Sequence, residues 1–202
     1  MQWYKDDVEA VIQERLTCPY EPKTIFYGSS SIRLWTTLYE DFEEYKPVNL
    51  GFGGSTLAAC VWFFNTIVAP LKNPKTFVLY AGDNDLGDGR HPEEVLMFFR
   101  EFMVKLREFY PDIPFYFVSI KPSISRLQIM AEIVHTNKLI EAEIYNRNGN
   151  DYYVNVFDRM IDNSGKPIAS LFEDDGLHLN KNGYSVWKQV ILNDCLLKQK
   201  LH

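Results

Sequence analysis

The chain reads as an α/β protein, a three-layer α/β/α sandwich around a five-stranded parallel sheet of the flavodoxin-like kind. Three observations predict this. Short β-rich runs alternate with helical stretches along most of the 202 residues. Several of the runs, Phe77 to Ala81 above all, are apolar without alternation, as strands covered on both faces must be. Clusters rich in Gly, Ser and Asp follow the runs, and in open parallel sheets ligands gather at the strands' carboxyl ends.

The first seventeen residues carry Lys5, Asp6, Asp7, Glu9, Glu14 and Arg15, so they read as an amphipathic helix and not as the apolar stretch of a secretory signal. Residues 24–27 form a β-rich run that breaks into Gly28-Ser29-Ser30-Ser31, and 31–45 has mixed helical character. A second strand, 47–50, enters the turn Gly51-Phe52-Gly53-Gly54-Ser55 and then a helix over 56–68. Residues 76–81 are the third strand. From 92 to 109 the apolar positions Val95, Phe98, Phe99, Phe102, Leu106 and Phe109 recur at helical spacing behind Pro92, Glu93 and Glu94, which suit a first turn. A fourth strand over 114–120, a helix over 125–146, a fifth strand over 152–157 and a closing helix over 181–197 complete the alternation.

Composition narrows the function. With 46% hydrophobic and 15% aromatic residues the chain can bury a substantial core, and one domain over 1–202 is expected, with 1–20 as a helical extension. A formal charge of -6 without any Lys/Arg run argues against nucleic acid or an anionic membrane surface as partner. No apolar run approaches the roughly 18 residues that a bilayer span needs. Cys18, Cys60 and Cys195 are odd in number and lack Cys-x-x-Cys spacing, which fits a reduced, cytoplasmic protein without disulfides or a zinc knuckle.

The polar clusters can supply ester hydrolysis. A serine hydroxyl is a poor nucleophile until an imidazole takes its proton, and the imidazole needs a carboxylate to fix its tautomer. Asp174-Asp175-Gly176-Leu177-His178 offers both partners on one turn, with i, i+3 spacing favouring Asp175 over Asp174. Ser29, Ser30 and Ser31 follow the first strand, and the residues alone do not choose among them. Gly54 can present a backbone N–H, and Asn84, in Gly82-Asp83-Asn84-Asp85, a carboxamide donor to an oxyanion. Singly, each has a plainer reading: helix caps for the serines, turns for the glycines and aspartates, a loop hydrogen bond for Asp-x-x-His. Their occurrence together, at successive strand ends, is what favours catalysis. Lys121 and Arg126, after the fourth strand, are either substrate contacts or solvated loop charges.

Rival chemistries fit less well. Glu132-x-x-His135 is half of a di-metal helix motif whose other half is missing. Asp83 to Glu94 begins like a calcium loop but has Asp88 where glycine is required. The Gly-x-Ser-x-Gly elbow of α/β-hydrolases is absent, because Ile32 stands two residues after Ser30. A flavodoxin-like binding module without catalysis would have no use for Asp175 and His178.

Taken together, Phe26-Tyr27-Gly28-Ser29-Ser30, Asn49 to Thr56, Gly82-Asp83-Asn84-Asp85 and Asp175-Gly176-Leu177-His178 resemble the four sequence blocks of the SGNH, or GDSL-like, hydrolases. The resemblance extends from Thr24 to Trp187. It implies Ser30 as nucleophile, His178 as general base and Asp175 as its orienting carboxylate. The N–H groups of Ser30 and Gly54 and the side chain of Asn84 would form the oxyanion hole. One departure stands out: Ser29 occupies the place of the family's aspartate. The resemblance implies an esterase or acylhydrolase without cofactor or metal, and the lack of a long apolar loop that could shelter an acyl chain points to short acyl esters. Sugar acetates, lysophospholipids and thioesters are its candidate substrates.

Overall fold

The computed structural model describes residues 1–147 and 149–193. Its strands are β1 (Thr24–Gly28), β2 (Pro47–Gly51), β3 (Thr76–Tyr80), β4 (Phe115–Val118) and β5 (Asp151–Val154), all parallel, in the order β2-β1-β3-β4-β5. The helices are α1 (Lys5–Thr17), α2 (Ser30–Arg33), α3 (Leu38–Asp41), α4 (Leu57–Ile67), α5 (Asp83–Gly87), α6 (Pro92–Phe109), α7 (Met130–Arg147) and α8 (Lys181–Ile191).

Strand side chains alternate between faces, and here the alternation feeds two cores. Ile25, Tyr27, Val48, Leu50, Phe77, Leu79, Phe115 and Phe117 pack under α1, α4, α6 and α7. Phe26, Val78, Tyr80, Tyr116, Val118 and Val154 pack on the other face with residues of α2, α3 and α8. Burying such a side chain stabilises the fold by about 1.5–3 kcal/mol relative to leaving it exposed, so the continuous apolar runs are explained by burial on both sides. The amphipathic rings find partners for their polar ends: the Tyr27 hydroxyl donates to the Cys60 carbonyl at 3.0 Å, and Trp35 Nε1 to Asp41 Oδ2 at 2.8 Å.

The predicted alternation is present, and several boundaries move for local polar reasons. The strand expected over 114–120 stops at Val118, because Asn137 takes both backbone groups of Ile120, each at 2.8 Å. The one expected over 152–157 begins at Asp151 and ends at Val154; the N–H groups of Val156 and Phe157 turn to the Ser119 hydroxyl, 3.0 Å from each. The helix expected from 125 opens as a 3₁₀ stretch, Ile124–Ile129, with Arg126 non-helical, before α7 begins. Of the closing helix, the part over 194–197 lies outside the described residues. Cys18 and Cys60 are free thiols, and Cys195 also lies outside them. Among the described residues no helix is long and apolar enough to cross a membrane.

The strand order reverses between β1 and β3, so the loops leaving these two strands part and open a crevice at their carboxyl ends. Gly28 makes the approach possible. Its φ is +137°, and a Cβ there would stand 1.9 Å from the Tyr80 carbonyl oxygen. That same oxygen accepts the Ser29 N–H at 3.0 Å. Gly28→Ala is expected to cost about 3 kcal/mol or more, measured as a lowered urea midpoint. An unchanged midpoint would mean that the two strand ends can separate freely.

Candidate active site

Gly28, Gly51 and Tyr80 lie in register across the sheet, so the segments holding Ser30, Gly54 and Asn84 all start from one line. Past it Ser29 is extended and acts as N-cap residue, which makes Ser30 the first residue of α2. A first-turn N–H has no intrahelical acceptor. The structure separates the three serines. Ser29 and Ser31 are buried, and the Ser31 carbonyl accepts the Tyr184 hydroxyl at 3.1 Å. Ser30 is half-buried and turns its Oγ to His178 Nε2, 3.2 Å away.

His178 is delivered by a tight reversal. Phe172 bridges Leu179 antiparallel, the Glu173 N–H donates to the His178 carbonyl at 2.8 Å, and the Gly176 N–H to the Glu173 carbonyl at 2.9 Å. Inside this turn Asp175 uses both oxygens. Oδ1 accepts the N–H groups of Leu177 and His178 at 2.8 and 2.9 Å, and Oδ2 accepts His178 Nδ1–H at 2.5 Å. With its proton on Nδ1, the imidazole has Nε2 free to accept the Ser30 hydroxyl. Desolvation works against the Asp175 charge, but the two backbone N–H groups and the imidazole outweigh it and hold the carboxyl at about 2.

Gly54 lies at φ +64°, exposed between the buried Phe52 and Ser55, its carbonyl accepting the Tyr4 hydroxyl at 2.9 Å. Asn84, the second residue of α5, donates one amide hydrogen to the Ser55 carbonyl at 3.0 Å. Its neighbours hold it from both sides. Asp85, fully buried, accepts the Leu57 N–H at 2.7 Å and Arg90 Nη1 at 2.8 Å. Burial raises the Asp85 pKa, while these donors pull it the other way. Asp83, also buried, accepts Lys121 Nζ at 2.8 Å.

Lys121 is therefore neither a solvated loop charge nor open to bulk water. It is 1% exposed, and although burial opposes its charge, Asp83 and Tyr80 outweigh it and keep the ammonium above its ordinary range. Arg126 stands 3.4 Å from Asp83 Oδ1 with about a fifth of its side chain exposed. Tyr4 carries no mark in the sequence that sets it apart as a site residue, and Asp83 and Asp85, though inside the Gly82–Asp85 block, have no role there that the sequence reveals; a lysine directly after an apolar strand is a visible irregularity. The half-motif Glu132-x-x-His135 serves another purpose: His135 Nε2 stands 3.3 Å from Glu93 Oε1 on α6. Among the described residues no group of three or more His, Cys, Asp or Glu could hold a metal ion. A cavity of about 440 Å³ lined by Glu14, Cys18, Tyr20 and Tyr39 borders α1 and shares no residue with the Ser30–His178 site.

Comparison with known proteins points one way. A protein from Streptococcus pneumonia named for platelet activating factor superposes with a TM-score of 0.82 at 21% identity, over 95% of this chain and 94% of that one. A GDSL-like lipase from Bacteroides thetaiotaomicron gives 0.74 at 20%, over 94% and 95%. A family 3 carbohydrate esterase from Clostridium thermocellum gives 0.68 at 16%, over 88% and 97%. Identities this low speak to the fold alone. No curated protein sequence matches the chain. Residues 24–186, however, match a sequence family from the first strand into the last described helix, and the chain accordingly belongs to the GDSL-like Lipase/Acylhydrolase family.

Proposed function

We propose that the chain is a serine-dependent carboxylic ester hydrolase, with Ser30 as nucleophile, His178 as base and Asp175 as the carboxylate that orients it. The N–H groups of Ser30 and Gly54 and the Asn84 carboxamide are its oxyanion donors. The observation that carries this reading is the hydrogen-bonded run from Asp175 to His178 to Ser30, at 2.5 and 3.2 Å, which joins residues 148 positions apart. A serine that served only to cap a helix would need no such partner.

Each step follows from the atoms named. Ser30 Oγ attacks the ester carbonyl carbon as its proton passes to His178 Nε2, and the carbonyl oxygen takes up the negative charge facing the donors. Collapse breaks the bond to the alcohol, which leaves with the proton from Nε2. Water then attacks the acyl-serine, again giving its proton to Nε2, and as the acyl–oxygen bond breaks Ser30 Oγ takes that proton back, releasing the acid and restoring the free enzyme. Asp175 stays anionic throughout and stabilises the imidazolium. Lys121 and Asp85 lie behind Asn84 and take no part in bond changes.

The substrate we propose is a short acyl ester, such as acetyl, of a polar alcohol such as a sugar. Two things support it. The side chains of His178 and Asp175 are 30% and 48% exposed, so the reacting groups open to water and admit a bulky polar alcohol. The Clostridium thermocellum neighbour is named as a carbohydrate esterase.

Ser30→Ala should abolish turnover by roughly 10⁴- to 10⁶-fold with the fold intact, and a fluorophosphonate should label the peptide containing Ser30. Label on Ser29 or Ser31, or wild-type rates in the variant, would defeat the assignment, and a protein that takes no label at all would favour a binding module.

The pH dependence has a definite sign. A carboxyl held at about 2 remains ionised above that value and is lost only as pH falls through it, so Asp175 is charged across the working range. Because the base must be unprotonated to take the serine proton, activity should decline on acidification while Asp175 is still charged. Asp175→Asn should lower kcat by roughly 10³- to 10⁴-fold and Asp174→Asn little. A pH–rate profile that stays flat down to about pH 3, or a more damaging Asp174→Asn, contradicts this.

Across a p-nitrophenyl ester series, kcat/KM should peak at acetyl to butyryl. A maximum at long chains would place an acyl channel within the helical layers and favour a lipid ester.

A further inference from the structure

Gly54 contributes no side chain to the loop that carries it, although Phe52, Ser55 and Thr56 beside it are buried. Gly54 is exposed, lies at φ +64°, and has no atom within 4 Å of the point where a Cβ would sit. Glycine also resists backbone rotation less than any other residue. Yet a donor stabilises a developing charge efficiently only if it is aimed before the charge appears. A hold on Gly54 itself has to come from another residue.

It comes from Tyr4. Its hydroxyl donates to the Gly54 carbonyl at 2.9 Å, while the Ser55 N–H, on the other edge of the same peptide plane, donates to the Phe52 carbonyl at 3.4 Å. The next carbonyl, that of Ser55, accepts the Asn84 carboxamide at 3.0 Å. Hydrogen bonds to two successive carbonyls thus tie Tyr4 and Asn84 to the same short stretch of backbone, which carries Gly54. The tyrosine ring is itself fixed, 6% exposed and edge-on to Phe52 (5.5 Å, 87°) and Phe63 (6.0 Å, 83°). Asp7, from the same N-terminal segment, stands 3.8 Å from Arg33, and both border Gly53. Tyr4 and Asp7 both lie upstream of the 24–186 stretch that defines the family match.

We infer that Tyr4 is a positioning residue for the hydrolysis, its hydroxyl fixing the carbonyl side of Gly54 and thereby limiting rotation about the Cα that carries the Gly54 N–H, so that the Gly54 and Asn84 donors are held together at the oxyanion. The inference rests on the hydrolase reading above. Tyr4→Phe tests it, because the ring and its packing stay and only the hydroxyl goes. With rates normalised to the sites titrated by a fluorophosphonate, kcat on p-nitrophenyl acetate should fall about three- to tenfold with KM unchanged, the range of one net hydrogen bond. Affinity for a boronic acid, whose serine adduct is tetrahedral, should fall by the same factor. A merely structural role would lower the titratable fraction or the unfolding midpoint and leave kcat per site alone. Wild-type kcat in Tyr4→Phe, a raised KM with intact kcat, or a loss fully accounted for by fewer titratable sites overturns the inference. Wild-type protein that neither takes label nor hydrolyses esters overturns the hydrolase reading, and this inference with it; an active wild type with an unaffected Tyr4→Phe overturns the inference alone.

Discussion

The parallel pairing of β1 with β3 is the constraint on which the candidate site depends. At the end of that ladder a strand carbonyl, that of Tyr80, presses into the space where Gly28 lacks a side chain and accepts the Ser29 N–H at 3.0 Å. This contact brings β1 to the sheet's reversal point with no bulk between the strands. The chain must then leave upward, and the first helical residue past the cap is Ser30. Any side chain at position 28 would push the strands apart and carry Ser30 away from the loop that presents His178.

Charge does for Asn84 what packing does for the strands. The residues on either side of it are both buried aspartates: Asp83 is tied to Lys121 beyond β4, and Asp85 to the first N–H of α4 and to Arg90. Buried ion pairs contribute little net stability because desolvation offsets their attraction, but they tolerate few alternative arrangements. A five-residue helix cannot hold itself in register, since its hydrogen bonds barely repay nucleation. Clamped at its first and third residues, α5 presents the second in one orientation. The cost of burying the ions is traded for a fixed direction.

Much of this was legible in the sequence because the signals were periodic or local. The continuous apolar runs marked the strands, the 3.6 spacing from Val95 to Phe109 marked α6, and i, i+3 spacing tied Asp175 to His178. The choice of Ser30 over its neighbours needed either the family resemblance or the structure, because three adjacent serines have the same chemistry and differ only in direction. Strand ends were misjudged where a side chain far along the chain intervened, as Asn137 does at Ile120 and Ser119 at Val156. The sequence leaves Lys121 open between a substrate contact and a loop charge for the same reason: its partner Asp83 lies 38 positions away, and no pattern in the sequence links the two. Long-range polar contacts leave no periodic trace.

The N-terminal helix has a practical bearing on where the folding unit starts. Besides the Tyr4 contact near the beginning of α4, Arg15 donates to the Thr66 and Ile67 carbonyls at 2.8 and 2.6 Å, covering acceptors that the end of α4 leaves open. Val8 and Val11 complete the core beside β2 between these two points. A chain started at Thr24, where the family match begins, would bare the side of α4 that α1 covers and leave its last carbonyls to water. The boundary that sequence similarity draws is thus about twenty residues inside the one that packing draws.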